Sequence, residues 1–366
     1  MSVARGLAWL DVLRGAQVRD ALVDAMVEDT GVSRAMACWG LERLLARADA
    51  SSLENIAARG DLQGQRAAVA LATSVATAPL RTVLVLVLRG AREIALGVRE
   101  GSSRTARVLA RLSDAGADLV RVTCAVEDTG VWLAREVTAG AGCVVVFGGD
   151  ARVARLRGGV PSGVRFEGHG HGMGGAWVGQ ETLGDWERVR ALAWDFAAFD
   201  GVGCLSPERV WVEGSVADCV VAAERIGRAM AAWEGEMARG VLSAEWRVRE
   251  RAWRAQTAAG AVSFVGERAW SVAVTERPVA AMGARNVLVH PAESTESPES
   301  LRGEGRGGAA QWFGAHREVF TTVVGDAGTW GALEGALGGC HARRSVPGEA
   351  QDPALDGEAD PRPSVR

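Results

Sequence analysis

Cys204 is the residue whose surroundings most favour nucleophilic chemistry. Gly201 and Gly203 free the backbone just before the thiol, and Pro207 stops any helix soon after it. A thiol on such a tight loop can meet a substrate, and its own N–H can stabilise an oxyanion. The alternative interpretation is a small buried apolar residue, which is the commoner state of a free cysteine.

A second candidate is the glycine-rich stretch 168–175, which contains His169 and His171. Two histidines at this spacing could ligate a metal, but no cluster of Asp, Glu or Cys joins them at the usual spacing. The sequence therefore predicts no metal site. It predicts a glycine-rich hairpin that a cofactor or a second backbone approaches closely.

A third candidate is the turn formed by Phe147, Gly148 and Gly149, which follows a predicted buried strand and precedes a short helical segment, Asp150 to Arg155. Glycines between a strand and a helix allow a dinucleotide phosphate to approach the helix N-terminus. The turn lacks the full glycine fingerprint of such sites, so alone it is a weak indication.

The elements that must position these candidates alternate between strand and helix in the middle of the chain. Residues 1–75 are predicted to be helical. The predicted strands are Thr82–Leu88, Glu93–Val98, Asp118–Val122, Cys143–Phe147 and Val210–Val212. The predicted helices are Thr105–Ala115, Val131–Thr138, residues 186–200 and a long helix from Ser215 to about residue 258. Residues 293–308 and the tail from Pro347 are predicted to be irregular. This alternation is typical of a parallel, doubly wound α/β sheet.

Composition limits the possible classes of function. The net charge of −4 gives no support to nucleic-acid binding. All 41 basic residues are arginine, which excludes Schiff-base and P-loop lysine chemistry. The longest aliphatic run, Val83 to Leu88, is too short for a membrane span, and the first residues do not resemble a signal peptide. The six cysteines are scattered without a Cys-x-x-Cys pair, so we expect reduced thiols and a cytoplasmic protein.

In series, the three candidates resemble the aldehyde dehydrogenase superfamily. Cys204 lies 35 residues after His169, which lies 22 residues after Phe147. The segment Gly203-Cys-Leu-Ser-Pro-Glu-Arg-Val-Trp-Val-Glu213 resembles the nucleophile loop, and the tail 347–363 resembles that of the acyl-CoA reductases. These are relatives of the reductase subunit of the bioluminescence fatty acid reductase complex.

The resemblance implies an α/β fold of the aldehyde dehydrogenase type, with a doubly wound parallel-sheet cofactor domain and an α/β catalytic domain. The implied division is a helical N-terminal segment at 1–75, a dinucleotide-binding domain at 76–185, a catalytic domain at 186–300, and a return segment with an irregular tail at 301–366.

The resemblance also implies a reaction, in which NADPH reduces a fatty acyl thioester such as acyl-CoA to the aldehyde. Cys204 would carry the acyl group, and His171 and His169 are the candidates that assist it. The implied cofactor-binding residues are Phe147, Gly148, Gly149, Arg99 and Ser102. A homo-oligomer or an acyl-transfer partner subunit is also implied.

Three departures from the superfamily pattern matter. The glutamate that activates water in aldehyde oxidisers falls on His169, or on Glu167 in a shifted alignment, and its loss favours reduction over hydrolysis. The oxyanion asparagine is replaced at Thr77-Ala78, which favours the alternative of a lapsed enzyme acting as a binding or partner subunit. The usual cofactor-binding lysine is replaced by Arg99, and arginine favours the 2′-phosphate of NADP.

Overall fold

The computed structural model describes residues 2–72, 75–98, 104–114, 120–275, 279–292, 308–338, 340, 342–351, 353 and 355. The chain divides into two compact units. Unit 1 extends to His171 and includes Leu355 of the tail, whereas unit 2 begins at Gly172. The domain boundary at residue 185, which the sequence predicts, stays a prediction.

Unit 1 contains, in its described residues, a parallel sheet of five strands. They are β1 (Arg66–Ala70), β2 (Glu93–Val98), β3 (Arg121–Val126), β4 (Ala141–Phe147) and β5 (Arg165–His169). The strand order is β3-β2-β1-β4-β5. The chain therefore reverses direction across the sheet between β1 and β4, and doubly wound sheets bind ligands at the carboxyl ends of such a pair.

Unit 1 also contains helices in its described residues. They are α1 (Ser2–Arg14), α2 (Ala16–Thr30), α3 (Arg34–Ala46), α4 (Ala50–Arg59), α5 (Ala78–Leu88), α6 (Arg104–Asp114), α7 (Thr129–Thr138) and α8 (Asp150–Arg157). Trp132 of α7 and Val153 of α8 pack with Val144 and Val146 of β4 in one buried cluster. Elsewhere α1 and α4 contact α5, and α2 contacts α6.

Unit 2 contains, within the described ranges, a seven-stranded sheet in the order β12-β11-β6-β7-β10-β9-β8. Its strands are β6 (Met173–Val178), β7 (Pro207–Val212), β8 (Ser263–Glu267), β9 (Trp270–Val274), β10 (Asn286–Pro291), β11 (Phe320–Gly325) and β12 (Arg343–Ser345). Strand β8 runs antiparallel to β9, and the other pairs are parallel. The helices are α9 (Gln180–Leu183), α10 (Trp186–Ala197), α11 (Val216–Glu236), α12 (Ala244–Gly260), α13 (Ala309–His316) and α14 (Trp330–Leu337).

The doubly wound α/β class predicted from the sequence is confirmed, and Glu93–Val98 is a strand with the predicted bounds. The strand predicted at Thr82–Leu88 is wrong, because these residues form most of α5. A short aliphatic run does not distinguish a buried strand from a buried helix by periodicity alone. The structure instead starts a helix near Pro79, which suits the first turn of a helix.

Two further predictions are corrected. The segment 1–75, predicted to be helical, contains β1, whose alanine-rich sequence favours helix locally but is buried at the centre of the sheet. The long helix predicted to residue 258 is broken, because α11 ends at Glu236 and Ser243 caps a new helix by accepting from the Trp246 N–H.

The hairpin predicted at 168–175 is also wrong. Strand β5 pairs with β4 in unit 1, whereas β6 pairs with β7 and β11 in unit 2. The glycine-rich stretch therefore connects two sheets and does not turn back within one.

Candidate active site

The turn after β4 lies at the carboxyl end of the strand beside β1. Phe147 stacks on His169, with ring centroids 4.7 Å apart, and the Gly148 N–H donates to the His169 carbonyl at 3.1 Å. Gly149 stands before the first residue of α8, and no other atom lies within 4 Å of the place where its Cβ would be. The start of α8 is therefore open to a ligand approaching from outside.

The first residue of α8 is tied to the end of unit 1. Asp150 accepts a hydrogen bond of 2.6 Å from the backbone N–H of His171, whose side chain is exposed. This bond fixes the segment that leads out of β5 against the N-terminus of α8. Together with the Phe147–His169 stack, it places Phe147, His169 and His171 in one local arrangement.

Arg152 is a further candidate site residue, which the sequence did not indicate. Its guanidinium donates to the Leu71 carbonyl, just after β1, at 3.3 Å and to the Thr129 hydroxyl at 3.4 Å. Its stem lies over Gly148, where an added Cβ would lie 2.8 Å from Arg152 Cδ. A positive charge therefore lies at the carboxyl ends of β1 and β4. Several arginines occur in α8, and the sequence alone does not show which one faces this edge.

Cys204 lies in unit 2 on a short turn. The turn is closed by a hydrogen bond of 3.0 Å from the Ser206 N–H to the Gly203 carbonyl. The Thr321 hydroxyl, from β11, donates to the Cys204 carbonyl, and a Cβ on Gly174 would lie 2.6 Å from the Ser206 carbonyl. The backbone of the turn is thus held closely while the Cys204 side chain is exposed.

The residues before the turn adopt a backbone conformation that is rare outside glycine. Phe199 and Asp200 have φ values of 49° and 57°, and Gly201 has 64°. Non-glycine residues pay conformational energy in this left-handed region, and they persist only where the surroundings determine them. Asp200 supplies that constraint through a buried ion pair of 3.0 Å with Arg285.

The cysteines differ in their surroundings. Cys143 and Cys219 are buried, and burial raises the pKa of each thiol to about 12. Burial also raises the pKa of Cys124 to about 11. Of the six cysteines, Cys204 alone is exposed, and the other five are buried or half-buried. The interpretation of Cys204 as a small buried apolar residue is therefore wrong.

Glu167 is occupied by an ion-pair network. Arg89 donates to Glu167 at 2.6 Å and to Asp61 at 2.9 Å, and Arg165 pairs with the same two carboxylates. Burial acts to raise the pKa of Glu167, but its hydrogen bonds to Arg89 and the nearby positive charge outweigh burial and hold it below its usual value. A carboxylate bound in this way joins β5 to the end of α5 and is a poor proton acceptor.

Of the remaining residues that the sequence singled out, some lie within the described part of the chain and some lie outside it. Arg99 and Ser102, predicted to bind the cofactor, lie outside the described residues. Thr77 precedes α5 and makes no capping bond with its side chain. Among the described residues, no group of three or more His, Cys, Asp or Glu is placed to hold a metal ion.

The residues present in unit 1 fit a dinucleotide. The reversal of strand order, the open start of α8 at Gly149 and the charge of Arg152 occur at one edge of the sheet. Backbone N–H groups at a helix start and a guanidinium are the groups that bind phosphate in such crevices. Asp150 adds one negative charge, but its Oδ1 is engaged by the His171 N–H.

Solved structures share this fold. A succinic semialdehyde dehydrogenase from Streptococcus pyogenes, in complex with NADP+, has a TM-score of 0.71 and 11% identity, covering 94% of this chain and 81% of that chain. A lactaldehyde dehydrogenase from Escherichia coli has a TM-score of 0.66 and 14% identity, covering 94% and 78%. The fold is therefore that of the aldehyde dehydrogenases.

The family model for acyl-CoA reductase (LuxC) matches residues 102–301. This match includes Phe147, His169, His171 and Cys204. It covers more than half of the chain. The protein belongs to the acyl-CoA reductase (LuxC) family, which confirms the resemblance drawn from the sequence. No curated protein sequence matches the chain. None of its described helices is long and apolar enough to cross a membrane.

Proposed function

We propose that the protein reduces a fatty acyl thioester, such as an acyl-CoA, to the aldehyde with NADPH, through an acyl group bound to Cys204. The single observation that carries this proposal is the exposed thiol of Cys204 on a turn whose backbone is fixed from β6 and β11. Membership of the acyl-CoA reductase family supplies the substrate class.

The Cys204 thiolate attacks the thioester carbonyl carbon, and the carbon–sulfur bond to CoA breaks, so that CoA leaves as a thiolate. An ordinary thiol has a pKa of about 8.5, so a base must take its proton at neutral pH. From the family resemblance, His171 and His169 are the proposed bases. From the same resemblance, the Cys204 N–H is proposed to stabilise the oxyanion.

When bound, the nicotinamide supplies the hydride that reduces the acyl carbonyl carbon. Hydride addition leaves an oxyanion on the carbon bound to Cys204; the carbon–oxygen double bond re-forms, the carbon–sulfur bond breaks, and the aldehyde leaves while the cysteine returns to a thiolate. Hydrolysis of the acyl group on Cys204 would release the carboxylic acid, so no aldehyde would form. The engagement of Glu167 with Arg89 supports reduction, because that carboxylate is a poor base for activating water.

The proposed cofactor residues come from both observation and resemblance. Phe147, Gly148 and Gly149 would lie beneath the cofactor, and Arg152 would bind one of its phosphates. Arg99 is proposed to bind the 2′-phosphate and Ser102 to assist it. The choice of NADPH over NADH rests on Arg99 and on the family resemblance. Because the thiol must stay reduced, we place the reaction in the cytoplasm.

A second candidate is a lapsed enzyme that serves as a binding or partner subunit. The observation that favours it is Thr77, which stands with Ala78 where the superfamily has its oxyanion asparagine. Loss of one oxyanion donor typically costs about 10²–10³ in rate.

In the active enzyme, the proposed partners are a further copy of the chain or an acyl-transfer subunit that delivers the acyl group.

The test is to follow NADPH oxidation on mixing the protein with acyl-CoAs of graded chain length, with the aldehyde detected as product. An active reductase oxidises NADPH in proportion to the aldehyde formed, and Cys204→Ala abolishes both. Binding of NADPH without either signal for any chain length would support the lapsed enzyme.

A further inference from the structure

The last described segment of unit 2, residues 346–351, packs onto α10 and is called the C-terminal strap below. Asp195 of α10 is completely buried, and its carboxylate accepts the Gly348 N–H at 2.7 Å and the Ala350 N–H at 2.9 Å. Gly348 lies so close to α10 that an added Cβ would be 2.9 Å from the Cβ of Ala191. A buried carboxylate thus binds the strap backbone.

The strap is also held from β12. Arg343 donates from its guanidinium to the Glu349 carbonyl at 3.3 Å and to the Ala350 carbonyl. Burial raises the pKa of Asp195 to about 7, partly offset by the two strap N–H groups. These two N–H groups satisfy a carboxylate that is completely buried in the folded chain, and an unsatisfied buried polar group is costly.

The strap ends on the turn that carries the thiol. The side-chain amide of Gln351 donates from Nε2 to the Ser206 hydroxyl oxygen at 2.6 Å, and both residues are buried. Ser206 closes that turn through its own N–H and lies two residues after Cys204. The contact therefore joins the C-terminal part of the chain directly to the nucleophile turn.

We propose that Gln351 is a positioning residue for the acyl-transfer step, holding the Cys204 turn through Ser206. This rests on the proposed function of Cys204. Attack on a thioester requires the sulfur to approach the carbonyl carbon in a fixed orientation. If the turn loses the hydrogen bond from Gln351, the Cys204 thiol therefore reacts more slowly with the thioester, even though it stays exposed. Alkylation by a small reagent such as iodoacetamide has a much weaker demand on orientation.

The experiment compares two rates at Cys204 in the full chain, namely acylation by an acyl-CoA and alkylation by iodoacetamide, across pH 6–9. We expect Gln351→Ala to lower the ratio of acylation to alkylation by about three- to tenfold, which is the range of one net hydrogen bond. Ser206→Ala should give a similar loss, and the double variant little further loss than Gln351→Ala, because the bond between the two side chains is already absent in each single variant. Glu349→Ala, on the exposed side of the same strap, is the matched control and should leave the ratio unchanged.

Hydrogen exchange gives a readout that does not depend on activity. In Gln351→Ala, the peptide covering residues 203–206 should exchange faster, while the strands of unit 1 keep their protection. Unchanged exchange in this peptide, or an unchanged ratio of the two rates, overturns the inference. If wild-type protein is not acylated at Cys204, the proposed function fails, and the exchange measurement alone still decides whether the strap holds the turn.

Discussion

Asp200 and Arg285 form a buried ion pair of 3.0 Å that joins two left-handed turns, one at 199–201 and the other at 283–285. Gly283 approaches Gly201 so closely that its Cβ would lie 2.7 Å from the Gly201 carbonyl. Burial raises the pKa of Asp200 and lowers that of Arg285, so each charge depends on its partner. The chain entering the Cys204 turn is fixed by this pair.

Arg285→Ala should lower the free energy of unfolding by about 3–5 kcal/mol, because Asp200 would remain buried without its partner. Chemical denaturation of the two proteins measures this loss. Arg19→Ala, which breaks an exposed pair with Glu42, is the control and should cost less than about 1 kcal/mol. Equal losses in the two variants would mean that the Asp200 pair does not fix the turn.

Cys204 should be the first of the six cysteines to react with iodoacetamide, by at least about tenfold. At pH 8, a thiol with a pKa of 11 or more is about 0.1% ionised or less, which protects Cys124, Cys143 and Cys219. Peptide mapping after a short exposure identifies the modified residue. Uniform labelling, or first labelling at another cysteine, would contradict the assignment.

Arg152→Ala should weaken NADPH binding by about tenfold or more, since a charge-assisted hydrogen bond to phosphate is lost. Titration calorimetry measures the dissociation constant without catalysis. Arg155→Ala removes an exposed arginine from the same helix and should leave binding nearly unchanged. An equal effect of both variants would indicate only general electrostatics.

Arg99→Ala should weaken binding of NADPH more than binding of NADH, because only NADPH carries the 2′-phosphate. The same titrations, made with both cofactors, give the two losses. Equal losses would remove Arg99 from the 2′-phosphate role, whatever the result for Arg152.

His290 should make the protein less stable at low pH. Burial lowers the pKa of its ring to about 3, from an ordinary value near 6.5, and its Nδ1 bonds to the Thr275 carbonyl. Between these pKa values only the unfolded state binds this proton, so the contribution of His290 to the free energy of unfolding falls by about 1.4 kcal/mol per pH unit as pH drops. His290→Gln should lack this contribution, and parallel pH slopes for the two proteins would contradict it.

The sequence predicted the local conformation of the candidate site segments better than their contacts with distant parts of the chain. Glycine spacing and Pro207 placed Cys204 on a tight turn, and the structure confirms the turn and its exposure. The strand before Phe147 was predicted from its short run of β-branched valines next to glycines.

What the sequence could not show depends on contacts between distant parts of the chain. Arg152 and Gln351 carry no local signal, since their partners are 81 and 145 residues away in the chain. The segment Thr82–Leu88 was predicted as a strand although it is helical. Its apolar run shows no clear helical spacing, and its burial depends on neighbours elsewhere in the sequence.

The most direct test of the central claim is to incubate the protein with an acyl-CoA in the absence of any nicotinamide cofactor, and to map the acyl group by mass spectrometry. The account predicts one thioester-linked acyl group on the peptide that contains Cys204, and none on Cys204→Ala. An unmodified wild-type protein, or an acyl group on a different residue, would contradict it.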